Sequence, residues 1–461
     1  MSATVRLPSQ RNLEAFLLGI VLLFGLLGAT LLALGLAARD GLAPTSGLPG
    51  PLVPVGIAWG AAAAVHLALR AVHRRGEPYL LPIVTFLLTV GMLLIWRLRG
   101  AEGAYAQLVR GVLPGFALMG LLILRPGLFE RLRRVAIPVG VVGLILPILT
   151  AFFGEVDETG ARLALKFGPL PAIQPSEIIK LALIVFLAWF IDREGRAAEG
   201  RAIPFLGWLR LPAPRYFAPG LLYVGLAALA LVQMSDLGAV LVLSLLFGIM
   251  LFVGFEPRLF LTVVGVGALL GLVVGAVLSV TWQPPATVRA RFLAFRDPWS
   301  SAMIVVDGQP TGVTVSEGPG YQIQQSIYAL AAGGLTGAGL GLGTPEYVPL
   351  AHSDFIFAAL GEELGALIAL AVLLLYGVLI LRLGRIAVRL PPAQVFERMT
   401  VIGIALHLFV QVFVMVGGTL NLFPLTGVTI PFLSQGGVAV MVNLGEVGLA
   451  LAAAQRLEVA A

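Results

Sequence analysis

The sequence predicts an all-α fold: a polytopic integral membrane protein of about twelve transmembrane helices, with a long extracytoplasmic loop before the tenth. Three observations carry that reading. The 461 residues are 59% hydrophobic and only 12% charged, with a mean hydropathy of +0.98, where a soluble domain carries about 25% charged residues. Apolar runs of ~20 residues, the length that crosses the hydrocarbon core of a bilayer, recur along the whole chain. Nothing alternates over ten-residue blocks as an outer-membrane barrel would.

The first run, 13–38, follows Arg6 and Arg11 and is too long for a signal-peptide core, so it reads as a retained helix. Runs at 52–72, 79–96, 107–124 and 135–153 follow. Next come 175–191, 216–233, 237–255 and 259–280, then 355–381, 399–419 and 428–454. The proline- and arginine-bearing segment 193–215 is a connection that suits an amphipathic surface helix. With 56 glycines, the chain has ample small residues for close helix packing within a membrane.

Loop charge orients these spans. With the N-terminus in the cytoplasm, Arg74, Arg75, Arg131, Arg133 and Arg134 fall inside. So do the arginines between 193 and 215, and Arg382, Arg385, Arg389 and Arg398. The positive-inside rule then puts both termini in the cytoplasm and the longest loop, 281–353, outside. The net charge of +6 and pI near 10.0 therefore record topology, and no nucleic-acid partner is expected. The absence of cysteine excludes disulfides and thiol nucleophiles. Four scattered histidines do not make a histidine-rich metal cage.

Loops this long are functional or disordered. Arg289, Arg291 and Arg296 run against the inside bias, so topology does not explain them. An anionic partner would, since guanidinium pairs bidentately with phosphate; lipid headgroups or Asp297 and Asp307 are the plainer partners. Tyr321–Ala332 reads as a short amphipathic helix. The glycine run Gly333–Gly343 lacks the Lys-Ser/Thr ending of a phosphate loop.

His352, Ser353 and Asp354 stand where the loop enters an apolar run, with Glu362 and Glu363 just beyond. An ionisable group inside a membrane segment costs roughly 2.5–3.5 kcal/mol on insertion scales, so it lines a cavity or meets a partner. Asp before an apolar helix is equally an ordinary N-cap, worth about 1 kcal/mol. By residue type alone the cap is the commoner role. Glu177 and Lys180, three apart, can pair on one helix. Asp236 either senses Lys180 or Arg162, or caps its own helix.

Several motifs recur in order: Gln174-Pro-Ser-Glu-Ile-Ile-Lys180, Asp236-Leu-Gly238, Gly320-Tyr-Gln-Ile-Gln-Gln-Ser326, His352-Ser-Asp-Phe-Ile-Phe357 with Glu362-Glu-Leu-Gly365, and Pro424-Leu-Thr-Gly-Val-Thr-Ile-Pro-Phe-Leu-Ser434. Over about residues 79–455 they resemble the SEDS family of RodA, FtsW and SpoVE. Ala164, Ser235, Leu350, Met415 and Gln435 depart from the family pattern. The family's usual ten helices would make residues 1–76 an N-terminal extension with two helices, and 77–461 the membrane core that includes loop 281–353.

The resemblance implies a peptidoglycan glycosyltransferase that polymerises lipid II at the outer face of the bacterial cytoplasmic membrane, for elongation or division. It implies a class B penicillin-binding protein as transpeptidase partner, and lipid II, undecaprenyl pyrophosphate and membrane lipids as small partners. It places the catalytic acid on Asp354, the Glu–Lys pair on Glu177 and Lys180, and the loop arginine on Arg291. The further candidate substrate contacts are Gln174, Asp236, Gln322, Ser326, His352, Thr429 and Ser434. The hydroxyls of Thr429 and Ser434 would meet sugar or phosphate, or else backbone carbonyls. A desolvated carboxylate serves as general base, and inversion needs no covalent intermediate. These residues single out no cofactor and leave the metal requirement open; a divalent ion, Mg or Mn, is compatible with a pyrophosphate leaving group. The rival readings are a lipid-linked precursor flippase or transporter and a non-catalytic scaffold for a penicillin-binding protein.

Overall fold

The computed structural model describes residues 10–43, 49–72, 76–155, 162, 164–166, 174–200, 203–205, 209–211, 218–254, 286–306 and 309–459. The expected span 259–280 and Asp307 lie outside the described residues.

In chain order the helices begin with α1 (Gln10–Arg39), α2 (Pro49–Val72) and α3 (Leu80–Gln107), then a π-helical turn (Leu108–Val112) and α4 (Leu113–Leu124). Next come α5 (Leu128–Arg134), α6 (Ala136–Phe153) and α7 (Pro175–Gly200), the strands β1 (Ile203–Phe205) and β2 (Leu209–Leu211), α8 (Ala218–Gln233) and α9 (Leu237–Gly254). The extramembrane region follows with α10 (Ala286–Arg296), β3 (Met303–Val306), β4 (Gln309–Thr314) and α11 (Pro319–Gly333). The chain closes with α12 (Ile356–Arg389), α13 (Val395–Thr419) and α14 (Gly437–Val459). Among the described residues eight helices are long and apolar enough to cross a membrane, the stretch from α3 to α4 counted as one. The protein is a multi-pass membrane protein, and its described strands form only two small antiparallel hairpins.

The chain divides into two compact units, residues 1–128, 325–390 and 429–461, and residues 129–324 and 391–428. In the first, α1 and α2 pack on each other and on α3, while α14 packs along α4. The expected runs 79–96 and 107–124 meet at Gly100, whose backbone (φ 62, ψ −158) is not helical. Gly91 lies against Leu433, and Gly111 against Gly437. A straight helix would hold residues twenty positions apart at ~30 Å. Leu433 and Gly437 are at most about 14 Å apart along the chain. The helix therefore doubles back at Gly100, and two antiparallel spans join without a loop.

A second break explains the glycine run. Gly365, inside α12, has φ 81 and ψ 168, and residues 334–339 receive the opened backbone. The N–H groups of Ala338 and Gly339 donate to the carbonyls of Glu362 and Glu363 at 2.9 and 3.0 Å. Those of Ala366 and Leu367 donate to Gly334 and Leu335 at 2.9 and 3.2 Å. A Cβ on Gly333 would collide with the Gly361 carbonyl, and one on Gly337 with that of Glu363. Backbone meets backbone here, which only glycine permits.

In the second unit α7 packs against α6, α9 and α13, and α8 against α6 and α9. Val242, Val410, Val414 and Val428 form a buried cluster. Gly143 admits Ala182, and Gly403 admits Ile184 and Met250. The expected amphipathic helix within 193–215 is replaced, among the described residues, by an extended α7 and the β1–β2 hairpin; Pro204 interrupts a helical register there. The β3–β4 hairpin was also unforeseen, though Ile304, Val305 and Val306 favour a strand. The helix expected over Tyr321–Ala332 is α11. The last expected run, 428–454, becomes helical only from Gly437, because Pro431 and the positive φ of Phe432 (66°) keep 429–436 out of a helix.

Candidate functional site

Each unit carries part of the candidate set. In the first, Asp354 is half-buried in a turn over 350–355, immediately before α12. Leu350 adopts a left-handed backbone (φ 55), and its carbonyl accepts the N–H groups of Ser353 and Phe355 at 3.0 and 3.3 Å. The N-cap position of α12 is Phe355, with no side-chain cap bond. Asp354 lies one residue ahead of that position.

The segment 429–436 braces this turn. Ser434 is 2% exposed; its Oγ donates to the Ser353 carbonyl at 2.7 Å and accepts the Ile430 N–H at 2.9 Å. The Gln435 N–H donates to the His352 carbonyl at 2.8 Å. Behind them Gln107 donates from Nε2 to the Ser434 carbonyl at 3.1 Å and accepts the Gly436 N–H at 3.0 Å. Tyr376 donates its hydroxyl to the Pro431 carbonyl.

Of the two roles expected of Ser434, the backbone one is seen: its hydroxyl donates to one backbone carbonyl and accepts one backbone N–H. Ser326 has no exposed surface. Thr429 differs, because its Oγ1 is buried without a hydrogen-bond partner and can serve a ligand at no cost to the fold. His352 is half-buried; burial, and then the charge of Arg99, hold its pKa below the usual histidine value. It is a neutral neighbour of Asp354 at pH 7.

The loop ahead of the turn is anchored by Arg97, a residue that the sequence analysis did not single out. Arg97 is buried, with Nε on Glu363 at 2.8 Å and Nη2 on the Gly343 carbonyl and Glu346 at 2.7 and 2.8 Å. Glu346 also pairs with Arg39 at 3.0 Å, and Glu362 accepts the Thr344 N–H at 2.7 Å. Glu362 and Glu363 therefore hold the loop in place. The signal was an arginine directly at the end of the apolar run 79–96, where a buried charge calls for an acidic partner.

In the second unit Pro175 opens α7, and the half-buried Gln174 just before it accepts the Glu177 N–H through its carbonyl at 3.2 Å. Lys180 is 2% exposed and pairs with Glu177 at 2.8 Å. Asp236 caps α9, accepting the Ala239 N–H at 2.9 Å, and is also hydrogen-bonded to Ser176. Burial raises its pKa against the pull of the Ala239 bond and of Lys180. Both roles foreseen for Asp236, cap and neighbour of Lys180, coexist. Lys180 here faces two carboxylates, the arrangement of a neutralised buried cluster rather than of an open clamp.

Arg291 is half-buried on α10 and makes no ion pair with any described residue. Asn421 holds that helix by donating to the Phe295 carbonyl at 3.2 Å. Gln322 is half-buried on α11. Among the described residues no three His, Asp or Glu side chains converge as metal ligands.

The family model of FtsW, RodA and SpoVE, described as cell cycle proteins, matches residues 79–458. A peptidoglycan glycosyltransferase RodA of Mycobacterium tuberculosis is 30% identical, covering 96% of this chain and 90% of that protein. A probable peptidoglycan glycosyltransferase FtsW of Thiomicrospira cyclica is 34% identical over 67% of this chain and 72% of its own. Among solved structures, a chain of a peptidoglycan synthase complex that coordinates polymerisation and crosslinking is similar, with a TM-score of 0.64 and 26% identity over 83% of this chain and 98% of that one. The rod shape determining protein RodA of Thermus thermophilus is similar with a TM-score of 0.55 and 25% identity, over 82% of this chain and 96% of that one.

Proposed function

The chain belongs to the family of FtsW, RodA and SpoVE, and from that membership we propose that it is a peptidoglycan glycosyltransferase, polymerising lipid II at the outer face of the bacterial cytoplasmic membrane. The observation that carries the reading is the mounting of Asp354. Its carboxyl sits on a turn locked by Ser434 and Gln435, one residue ahead of the N-cap position of a membrane helix. A base held this firmly needs no rearrangement before it acts.

In the reaction Asp354 takes the proton from the 4-hydroxyl of the acceptor GlcNAc. The freed oxygen attacks the anomeric carbon of the donor, and the bond to undecaprenyl pyrophosphate breaks with its electrons on the leaving phosphate. One displacement inverts the configuration. Arg291 meets the pyrophosphate charge with its guanidinium. Thr429 offers its hydroxyl to sugar or phosphate. Glu177, Lys180 and Asp236 maintain the buried polar cluster of the second unit, and Ser434 positions the base. Residues 77–461 form the catalytic core, residues 1–76 its extension, and both termini lie in the cytoplasm. A class B penicillin-binding protein crosslinks the product, by analogy with the synthase complex of the similar structure.

The test is purified protein with its transpeptidase, supplied with labelled lipid II and read for glycan strands. Undiminished polymer from Asp354→Asn would remove Asp354 from the chemistry. Translocation of lipid II without polymer would make the protein a flippase.

A further inference from the structure

At the end of the first unit remote from the Asp354 turn, a cavity of about 520 Å³ opens between α1, residues 76–79, the end of α12 and the end of α14. Arg382, Arg385 and Arg389 line it. Their spacing of three, four and seven puts all three on one face of α12. Among the described residues that line it, Glu77 is the one carboxylate. Arg382 is committed: it pairs with Glu77 at 3.8 Å and stacks 3.7 Å over the Tyr79 ring. Arg385 and Arg389 are exposed and make no ion pair with any described residue. Burial raises the pKa of Glu77 while Arg382, Arg389 and Arg385 pull it down, so the three guanidiniums act on one place.

Topology asks only for positive charge in this connection. It does not ask for three arginines converging on a recess with an aromatic wall and one acid. Two guanidiniums in a recess, neither in an ion pair with a described residue, attract a doubly recognised oxyanion, and forked N–H donors suit phosphate. Basic recesses between membrane helices are also where anionic headgroups are held. The recess depends on α1, whose Gln10 accepts the Gly76 N–H at 2.5 Å; the extension thus completes a site the core alone would leave open.

We propose that this pocket binds a phosphate-bearing anion, supplied by the headgroup of an anionic phospholipid or by free phosphate. The proposal is independent of the polymerase reading. It is tested by melting the purified full-length protein in detergent with dihexanoyl phosphatidylglycerol, dihexanoyl phosphatidylcholine or inorganic phosphate.

Phosphatidylglycerol raises the wild-type Tm, and the double variant Arg385→Gln/Arg389→Gln needs roughly ten-fold more lipid for the same shift, the loss expected for charged hydrogen bonds. Glu77→Gln, which removes the one acid among the described lining residues, shifts the response to lower lipid concentration. Inorganic phosphate reproducing the shift would support the site and name free phosphate as its source. An equal shift from phosphatidylcholine, or a double variant that responds like wild type, would overturn the proposal. So would a weakened response from Glu77→Gln.

Discussion

Asp354 and Ser434 serve one short turn in different ways, and their variants should separate. Asp354→Asn keeps the shape and removes the base, so polymerisation falls by about 10²–10⁴-fold, the usual contribution of a general base, with an unchanged melting temperature. Ser434→Ala keeps the base and strips two buried backbone partners, the Ser353 carbonyl and the Ile430 N–H. It should cost about 1–3 kcal/mol of stability, read as a lower Tm, with a smaller loss of activity. His352 supplies a pH test. Its folded pKa lies below the unfolded value because burial and Arg99 disfavour the charged ring. Its contribution to stability is therefore present above the unfolded histidine pKa and is lost as pH falls through the folded one. Melting temperatures of wild type should drop more between pH 7.5 and 5 (about the histidine range) than those of His352→Gln. Parallel curves would show that His352 carries no such linkage.

Glycines at the two helix breaks carry different loads. At Gly100 the backbone (φ 62, ψ −158) occupies a region essentially reserved for glycine, with open space around it, so Gly100→Ala adds conformational strain alone, about 1–3 kcal/mol. At Gly337 the positive φ (84°) coincides with the Glu363 carbonyl in the path of a Cβ. Gly337→Ala adds a backbone collision of about 1–3 kcal/mol and should unfold at a clearly lower temperature than Gly100→Ala. Arg97 ties α3 to the same loop, and Arg97→Ala leaves Glu363 buried and unpaired, a change worth about 3–5 kcal/mol. Thermal melts of the three variants should rank Arg97→Ala and Gly337→Ala together, well below Gly100→Ala.

At the scale of the molecule, orientation can be read directly, since the chain contains no cysteine and any introduced thiol reports alone. A membrane-impermeant maleimide should label Gln309→Cys in intact cells and leave Ala461→Cys unlabelled until the membrane is opened; the reverse pattern would invert the topology. Much of this architecture was legible in the sequence. Span length and apolarity are properties of consecutive residues, and the bilayer selects them one segment at a time. The motifs around Glu177, Lys180, Asp236 and Asp354 could be located for the same reason, as charges standing in apolar surroundings. The tertiary structure alone decided what those charges and hydroxyls touch. Ser434 reaches Ser353 across 81 residues, and Arg97 reaches Glu363 across 266. The glycine run, which matched no ligand-binding pattern, became intelligible only beside the break at Gly365. Hydropathy along a chain says which residues leave water, but a hydrogen bond needs a partner within about 3 Å, and only the folded chain brings such partners together.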